Sequence, residues 1–285
     1  MNPLKSVYRR LRWSAFWGSC RLPEVDVASL APGVTPLEPP ITEKLYMAPF
    51  NKLKGLSFAG HDDAGPLFDL VRALQPRAAL ELGTAFGATT ANICAVSTAR
   101  VYRVNALPEQ IEGRLTTFAP SRETIGSVYR QHGFAERVLQ IYENTWQLDL
   151  RRYVPAHSVD FAIIDACHDA DFVVNDFLCL LPVLSERAIV LFHDVHPSMR
   201  KLLVDGYLGC MYLRKLGYDI RHIENTWWGV WQAGSAEARL PLAGRVANAL
   251  DSAVVRLRRR SAVHDVKSMR QIWNDLQKPR LKTKE

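Results

Sequence analysis

The feature that most constrains the fold is the stretch of residues 78–90, AALELGTAFGATT. An apolar run that can fill a buried strand ends in an acid, Glu81, and two glycines follow, Gly83 and Gly87. Glycine lets the backbone turn at positive φ and lie against a ligand without an intervening Cβ. An apolar helical run comes next, and its first N–H groups would face the turn. The stretch therefore predicts a strand–loop–helix ligand site at the edge of a parallel sheet.

The spacing E-x-G-x-x-x-G separates two kinds of nucleotide site. A dinucleotide site needs more closely spaced glycines for the pyrophosphate. The looser loop, with a carboxylate at the strand end, suits a cationic or hydroxyl-bearing ligand. The pattern resembles motif I of the class I S-adenosylmethionine-dependent methyltransferases, in which the glycine loop holds the amino-acid end of the cofactor. The alternative is an ordinary strand–turn–helix whose glycines serve only the turn geometry.

This resemblance implies S-adenosylmethionine as the cofactor. The cofactor-binding residues that it implies are Glu81, Gly83, Thr84, Gly87, Asn105, Asn144 and Asp165. Asn105 stands where the family usually has an acid that accepts hydrogen bonds from both ribose hydroxyls, and a single amide oxygen can do half of that. Asn144 follows the third strand and fits equally a contact with the adenine amino group or a turn.

Apolar runs and helical patterns alternate along most of the chain. The predicted strands are residues 78–82, 101–104, 138–142, 159–164, 188–192, 218–223 and 228–232, and the predicted helices are residues 62–74, 90–96, 121–133, 172–184 and 199–216. This alternation predicts an α/β fold with a doubly wound, mostly parallel sheet. The last two strands are too close for a parallel crossover, so one strand near the C-terminal end should run antiparallel. The resemblance implies seven strands in a Rossmann-like methyltransferase fold.

A second motif follows the fourth and fifth predicted strands. Asp165 ends the fourth strand and His168 lies in the next loop, while His193 and Asp194 end the fifth strand. Because ligands of open α/β sheets bind beyond the carboxyl ends of the strands, we expect these side chains at one common site. Asp and His are rarely placed at the end of a buried strand without a partner. The alternative is a pair of capping carboxylates with hydrogen-bonded histidines.

This arrangement resembles the sugar and natural-product O-methyltransferases of class I, in which an acid after the fourth strand and an acidic pair after the fifth bind magnesium. The resemblance implies a divalent metal, magnesium or manganese, held by Asp165, His193 and Asp194. The imidazole of His193, where an acid is usual, favours a softer metal or none. The Ser-Glu-Arg turn at residues 185–187 replaces the family's usual glycine pair.

The resemblance predicts methyl transfer from S-adenosylmethionine to a hydroxyl of a small molecule, a sugar or a glycolipid. The predicted catalytic residues are Asp165, His168 and His193. A metal would lower the pKa of the hydroxyl, whereas without a metal His168 or His193 would act as general base.

A nicotinamide-dependent dehydrogenase is disfavoured by the glycine spacing. A non-catalytic methyltransferase-like subunit is the alternative from another class. Three tryptophans near the last strand pair fit either an acceptor site or the sheet core: Trp227, Trp228 and Trp231.

Length and composition divide the chain into three parts. With 285 residues and 48% hydrophobic content, the chain fits one large α/β domain with extensions. We expect an N-terminal extension over residues 1–54, with a basic–aromatic segment and a Pro-rich irregular linker at 22–41, the methyltransferase domain over 55–235, and a basic helix and tail over 236–285. Residues 254–285 carry ten Lys or Arg and three acids, which accounts for the whole net charge of +7.

This charge distribution gives no basic groove, so no DNA partner is expected. The basic ends fit either peripheral contact with an anionic membrane or solvated and packed extensions. Five scattered cysteines argue against a disulfide framework, and the arginines near the N-terminus interrupt any secretory h-region. A cytoplasmic location is expected, with the inner face of the membrane as the site of any peripheral contact. The sequence leaves homo-oligomer formation open.

Overall fold

The computed structural model describes residues 22–41, 64–111, 120–195 and 206–235. Its strands are β1 (Glu24–Val25), β2 (Ala78–Leu82), β3 (Arg100–Val104), β4 (Val138–Ile141), β5 (Val159–Ile164), β6 (Leu184–Phe192), β7 (Arg221–Ile223) and β8 (Gly229–Gln232). Its α-helices are α1 (Val27–Leu30), α2 (Ala64–Leu74), α3 (Ala88–Val96), α4 (Ser127–Gln131), α5 (Ala170–Leu180) and α6 (Gly206–Lys215). Short 3-10 turns cover Pro108–Gln110, Ala135–Arg137 and Leu150–Arg152.

The strands form one sheet in the order β1-β7-β8-β6-β5-β2-β3-β4. Strand β8 is antiparallel to both β6 and β7, and the other pairs are parallel. Apolar residues of α2 and α3 pack on one face of the sheet, and those of α5 and α6 pack on the other. The predicted doubly wound, mostly parallel sheet with one antiparallel strand near the C-terminal end is confirmed.

The central strands β2 and β5 are buried along their whole length, which explains why they could be predicted accurately. Two parallel neighbours and two covering helix layers require an unbroken apolar run, and such a run is easily seen in a sequence. Because β2 and β5 are adjacent, their carboxyl ends bring Leu82 beside Ile164. The loops that follow these two strands therefore meet at one place, which is where the site is built.

The predicted turn at residues 185–187 is wrong, because this segment lies within β6 and α5 has already ended at Leu180. The register between β5 and β6 is irregular here: Val159 pairs with Leu184, but Phe161 pairs with Ile189. The irregularity is stabilised by a buried carboxylate on the neighbouring strand. Asp160 accepts hydrogen bonds from Ser185 Oγ at 2.7 Å and from Arg187 Nη2 at 2.8 Å.

Residues 22–41 were predicted as an irregular linker, but they pack against the domain. Strand β1 adds an eighth strand to the sheet by pairing in parallel with β7. At the other end of the segment, Asn92 of α3 accepts a hydrogen bond from the Ile41 N–H at 3.1 Å and donates one to the Ile41 carbonyl at 2.8 Å. The segment therefore crosses from the sheet edge to the helix that follows the glycine loop. The predicted domain boundaries near residues 54 and 236, the basic N-terminal segment and the basic tail lie outside the described residues.

The carboxylate of Asp160 should be a main determinant of stability at the amino ends of the strands. Arg77 adds a bidentate contact at 3.0 Å through both Nε and Nη2, and its backbone N–H donates a further hydrogen bond at 2.9 Å. Burial alone would raise the pKa of Asp160, but the hydrogen bonds from Arg187 and Arg77 hold it well below its usual range. Its contribution to stability is therefore complete above the unfolded-state pKa of about 3.9 and is lost as the pH falls below that value.

We expect Asp160→Asn to lower the free energy of unfolding by about 3 kcal/mol, because an amide group cannot accept from donors on both sides. Urea denaturation at pH 7 measures this change. The matched control is Asp149→Asn, which alters an exposed pair with Arg151 and should change stability by no more than about 0.5 kcal/mol. Equal losses in the two variants would contradict this role for Asp160.

Candidate functional site

The glycine loop after β2 lies against the end of β5. Gly83 has φ 97°, and a Cβ built on it would lie 2.0 Å from the carbonyl oxygen of Asp165. Gly87 has φ 83° and forms the N-cap of α3 without any side-chain cap. A Cβ at Gly87 would lie 2.6 Å from the ring of Tyr129. Both glycines are thus required by close packing, and the N-terminus of α3 keeps N–H groups that can bind an anion.

Asn105 holds the glycine loop from the side of β3. Its Oδ1 accepts hydrogen bonds from the backbone N–H groups of Thr84 at 2.9 Å and Ala85 at 3.2 Å. Its Nδ2 donates to the carbonyl of Ala106 at 2.6 Å. The amide therefore positions the loop, and its predicted contact with the ribose stays a prediction.

The carboxylate of Glu81 is buried and contacts other side chains of the protein. It is 2% exposed and lies 2.6 Å from Nη1 of Arg103, a fully buried side chain of β3. Thr90 donates a hydrogen bond to the same carboxylate at 3.2 Å. Burial raises the pKa of Glu81 to about 7, although the charge of Arg103 opposes this shift. The predicted contact between Glu81 and a cofactor stays a prediction, but its observed partner is Arg103.

Asn144 makes the contacts of a turn residue. Its Oδ1 accepts from the Trp146 N–H at 3.1 Å, and its Nδ2 donates to the Gln110 carbonyl at 3.0 Å. Of the two interpretations of Asn144, the contacts support the turn. The same loop carries Trp146, whose ring packs edge-on against Phe172 of α5 at 4.6 Å between centroids.

The structure brings the predicted Asp and His residues together in one cluster. Nδ1 of His168 lies 2.7 Å from Oδ2 of Asp194, and Nδ1 of His193 lies 3.1 Å from Oδ1 of Asp165. His193 also lies 3.5 Å from the other oxygen of Asp194. Asp194 has φ 57°, a left-handed conformation that Asp tolerates better than most residues, and this turn aims its carboxylate between the two histidines. The cluster adjoins the glycine loop because Gly83 contacts the backbone of Asp165.

The charges in this cluster stabilise one another. Burial would raise the pKa of Asp194, but His168 and His193 hold it at about 2. Burial also lowers the pKa of His168, but Asp194 outweighs this effect and the pKa lies above its usual value. Asp194 is therefore ionised at neutral pH and orients the imidazole of His168, which leaves Nε2 as the nitrogen that can exchange a proton.

The three tryptophans near the last strands occupy different environments. Trp231 packs against Phe177 at 5.2 Å between centroids, so it belongs to the sheet core. Trp228 is 4% exposed and lies 4.6 Å from the ring of His193. Trp227 is partly exposed, with its ring 6.4 Å from that of His193. Of the three tryptophans, Trp227 is the one placed to line a site beside the Asp/His cluster.

The donor set does not fit a resident metal ion. Among the residues that the structure describes, no group of three or more His, Cys, Asp or Glu is arranged to hold one. The imidazoles of His168 and His193 are instead at hydrogen-bonding distance from carboxylates. Magnesium prefers oxygen ligands, and the carboxylates that could supply them are engaged by imidazoles. The geometry therefore gives no support to the predicted metal roles of Asp165, His193 and Asp194.

The comparisons with known proteins agree with this assembly. Residues 80–195 match a family model described as a methyltransferase domain, which covers both the glycine loop and the Asp/His cluster. The match agrees with the predicted resemblance to methyltransferases over these residues. The search of curated proteins gave no match.

Several solved structures are similar to the chain. The O-methyltransferase TomG from Streptomyces achromogenes, solved with SAM, is 17% identical, with 59% of this chain and 78% of that chain covered and a TM-score of 0.45. The methyltransferase PaMTH1 from Podospora anserina, solved with SAH, is 14% identical, with coverage of 60% and 76% and a TM-score of 0.46. The O-methyltransferase from Bacillus cereus, solved with SAH, is 18% identical, with coverage of 58% and 77% and a TM-score of 0.41. At this level of similarity, the chemistry has to be inferred from the residues of the chain itself.

Sequence reasoning missed Arg103 and Gln140, which lie beneath the glycine loop. The available signal was a charged and a polar residue inside short strands that are otherwise apolar. A charge at a buried strand position requires a partner, and for Arg103 that partner is Glu81, which was predicted only as a cofactor-binding residue.

No helix among the described residues is long and apolar enough to cross a membrane.

Proposed function

We propose that the chain transfers a methyl group from S-adenosylmethionine to a hydroxyl group, with His168 as general base. The observation that carries this proposal is the contact between His168 and Asp194 at 2.7 Å, in a cluster that adjoins the glycine loop. The family match to residues 80–195 supports the reaction class.

The residues present fit the cofactor at two points. The uncapped N-terminus of α3 can bind the carboxylate of its amino-acid part, because helix N–H groups and the helix dipole favour an anion. The close packing at Gly83 and Gly87 fixes the path of the loop backbone beside Asp165 and Tyr129. When bound, the cofactor supplies an electrophilic methyl group on a sulfonium, which is already a good leaving group.

The protein therefore has two tasks, which are to align the acceptor and to remove its proton. His168 accepts the hydroxyl proton on Nε2, and the carboxylate of Asp194 stabilises the imidazolium that forms. His193, whose Nδ1 lies 3.1 Å from Asp165, is at the same edge and orients the acceptor oxygen. No step requires a metal in this scheme, because the imidazole accepts the proton directly.

The acceptor that the site fits best carries a ring, as an aromatic molecule or a sugar does. Trp227 is partly exposed, its ring lies 6.4 Å from that of His193, and it offers a flat apolar surface beside the Asp/His cluster. A small molecule, a sugar and a glycolipid share this combination of a hydroxyl and a ring face. The interaction of the chain with a membrane or with further copies of itself stays a prediction.

Calorimetric titration of S-adenosylhomocysteine into the full chain tests the cofactor assignment. We expect binding with a Kd in the micromolar range, about −8 kcal/mol, and no change in affinity on addition of magnesium or manganese. A large increase in affinity with either ion would overturn the metal-free scheme. Absence of binding under every condition would instead favour a non-catalytic subunit that docks a partner.

A further inference from the structure

A row of polar side chains crosses three strands directly beneath the glycine loop. The register places Glu81 of β2 beside Arg103 of β3, and Arg103 beside Gln140 of β4. Two residues earlier, the same face of the sheet is apolar, with Ala79 paired to Val101 and packed in the core. Charges inside a sheet are costly unless they are paired, so a row at this position requires an explanation.

The guanidinium group of Arg103 connects this row to the loop. In addition to its ion pair with Glu81, its Nε donates to Thr84 Oγ1 at 3.3 Å and its Nη2 donates to the Gly83 carbonyl at 3.4 Å. Gln140 donates to the same Thr84 oxygen at 3.2 Å. The guanidinium spreads five fixed donors over three nitrogens and so contacts an acid and two loop atoms at separate positions, whereas the three donors of an ammonium group share one nitrogen.

We propose that Arg103 is a positioning residue that sets the position and orientation of the cofactor loop relative to the sheet. Glu81 acts on the loop only through its ion pair with Arg103. This inference rests on the proposed function, because the loop at Gly83 and Thr84 is the proposed cofactor site. Asn105 holds the loop by its N–H groups from the side, and Arg103 holds a carbonyl and a hydroxyl from below. The loop is therefore pre-organised before the ligand arrives, which lowers the entropic cost of binding.

The test compares Arg103→Lys with Arg100→Lys, a change on the same strand at an exposed residue whose guanidinium donates to the Glu136 carbonyl at 3.3 Å. We expect Arg103→Lys to weaken S-adenosylhomocysteine binding about tenfold, because the two loop contacts are lost while the buried charge is kept. With a hydroxyl acceptor in hand, KM for S-adenosylmethionine should rise by a similar factor while kcat stays within about threefold. Arg100→Lys should leave both values unchanged.

A purely structural role for Arg103 would lower the melting temperature without changing the Kd, and that result would overturn the inference. If Arg103→Lys does not fold, the neutral pair Glu81→Gln with Arg103→Met replaces it, since removing both charges avoids an unpaired buried ion. Its loss of affinity relative to the unsubstituted chain measures the effect of the pair on the loop, and an unchanged Kd would overturn the inference. Failure of the unsubstituted chain to bind the ligand would instead remove the proposed function on which this inference rests.

Discussion

Replacing His168 by Asn should lower kcat about a thousandfold while leaving the affinity for S-adenosylhomocysteine within twofold. A positioned general base contributes roughly a hundredfold to ten-thousandfold in rate, and an amide cannot accept the hydroxyl proton. The amide nitrogen can still donate a hydrogen bond to Asp194, as His168 Nδ1 does now at 2.7 Å, so we expect the variant to fold. Methyl transfer from labelled S-adenosylmethionine to an identified hydroxyl acceptor measures the rate, and calorimetry measures the affinity.

The pH profile distinguishes a base from a residue that only packs in the site. Because Asp194 raises the pKa of His168 above its ordinary value of about 6.5, despite the opposing effect of burial, the imidazole stays protonated at mildly acidic pH. We expect kcat/KM to increase with pH through a pKa above that value and then to level off. In Asp194→Asn the negative charge that raises the pKa of His168 is absent, so the increase of kcat/KM should occur at lower pH. The plateau value of kcat/KM should also fall. Asn is suitable at φ 57°, a conformation that it tolerates.

His157→Asn is the matched control for the His168 substitution. His157 is an exposed histidine two residues before β5, and its Nδ1 lies 3.3 Å from the Leu184 carbonyl, away from the Asp/His cluster. Its substitution should leave kcat and the pH profile unchanged. A His168 variant with normal turnover would remove the general-base assignment, and a loss confined to affinity would make His168 a binding residue.

Gly83→Ala should abolish cofactor binding, which gives the second large effect. The new Cβ would lie 2.0 Å from the carbonyl oxygen and 2.4 Å from the carbonyl carbon of Asp165, so one of the two backbones must move. Neither backbone can move freely, because the Gly83 N–H donates to the Val104 carbonyl and the Asp165 N–H donates to the Leu82 carbonyl, both at 2.8 Å. The displacement would separate the glycine loop from the Asp/His cluster. We expect at least a hundredfold loss of affinity for S-adenosylhomocysteine.

Gly133→Ala is the control that separates the collision of the Cβ with Asp165 from the strain of a left-handed backbone. Gly133 has φ 78°, and a Cβ built on it meets no atom within 4 Å. Both substitutions incur the cost of a left-handed Ala, about 1 kcal/mol, but the Gly83 variant alone adds the collision. In thermal denaturation, the melting temperature should fall slightly for Gly133→Ala and much more for Gly83→Ala. Similar affinities in the two variants would contradict the packing of the loop against β5.

The order of strands and helices was determined by the sequence itself. Buried parallel strands need continuous apolar runs, and these runs are visible at Ala78–Leu82 and Val159–Ile164 without any structure. The residues that follow such strands must meet at one edge, so the proximity of Asp165 to Asp194 could also be predicted. Local pattern and topology together were sufficient for the central strands and for the membership of the Asp/His cluster, but not for the edge strand β1.

The partners of the polar side chains were decided only by the tertiary structure. Glu81 was predicted to face a cofactor, yet its carboxylate pairs with Arg103, and the amide oxygen of Asn105 holds the loop backbone. The irregular pairing of β5 with β6 depends on Asp160, which lies 25 residues before its partner Ser185. Hydrophobic periodicity reports which face of a strand is buried, but it carries no information on which distant donor will satisfy a buried acceptor. That choice depends on register and loop conformation, which form only when the whole sheet has assembled.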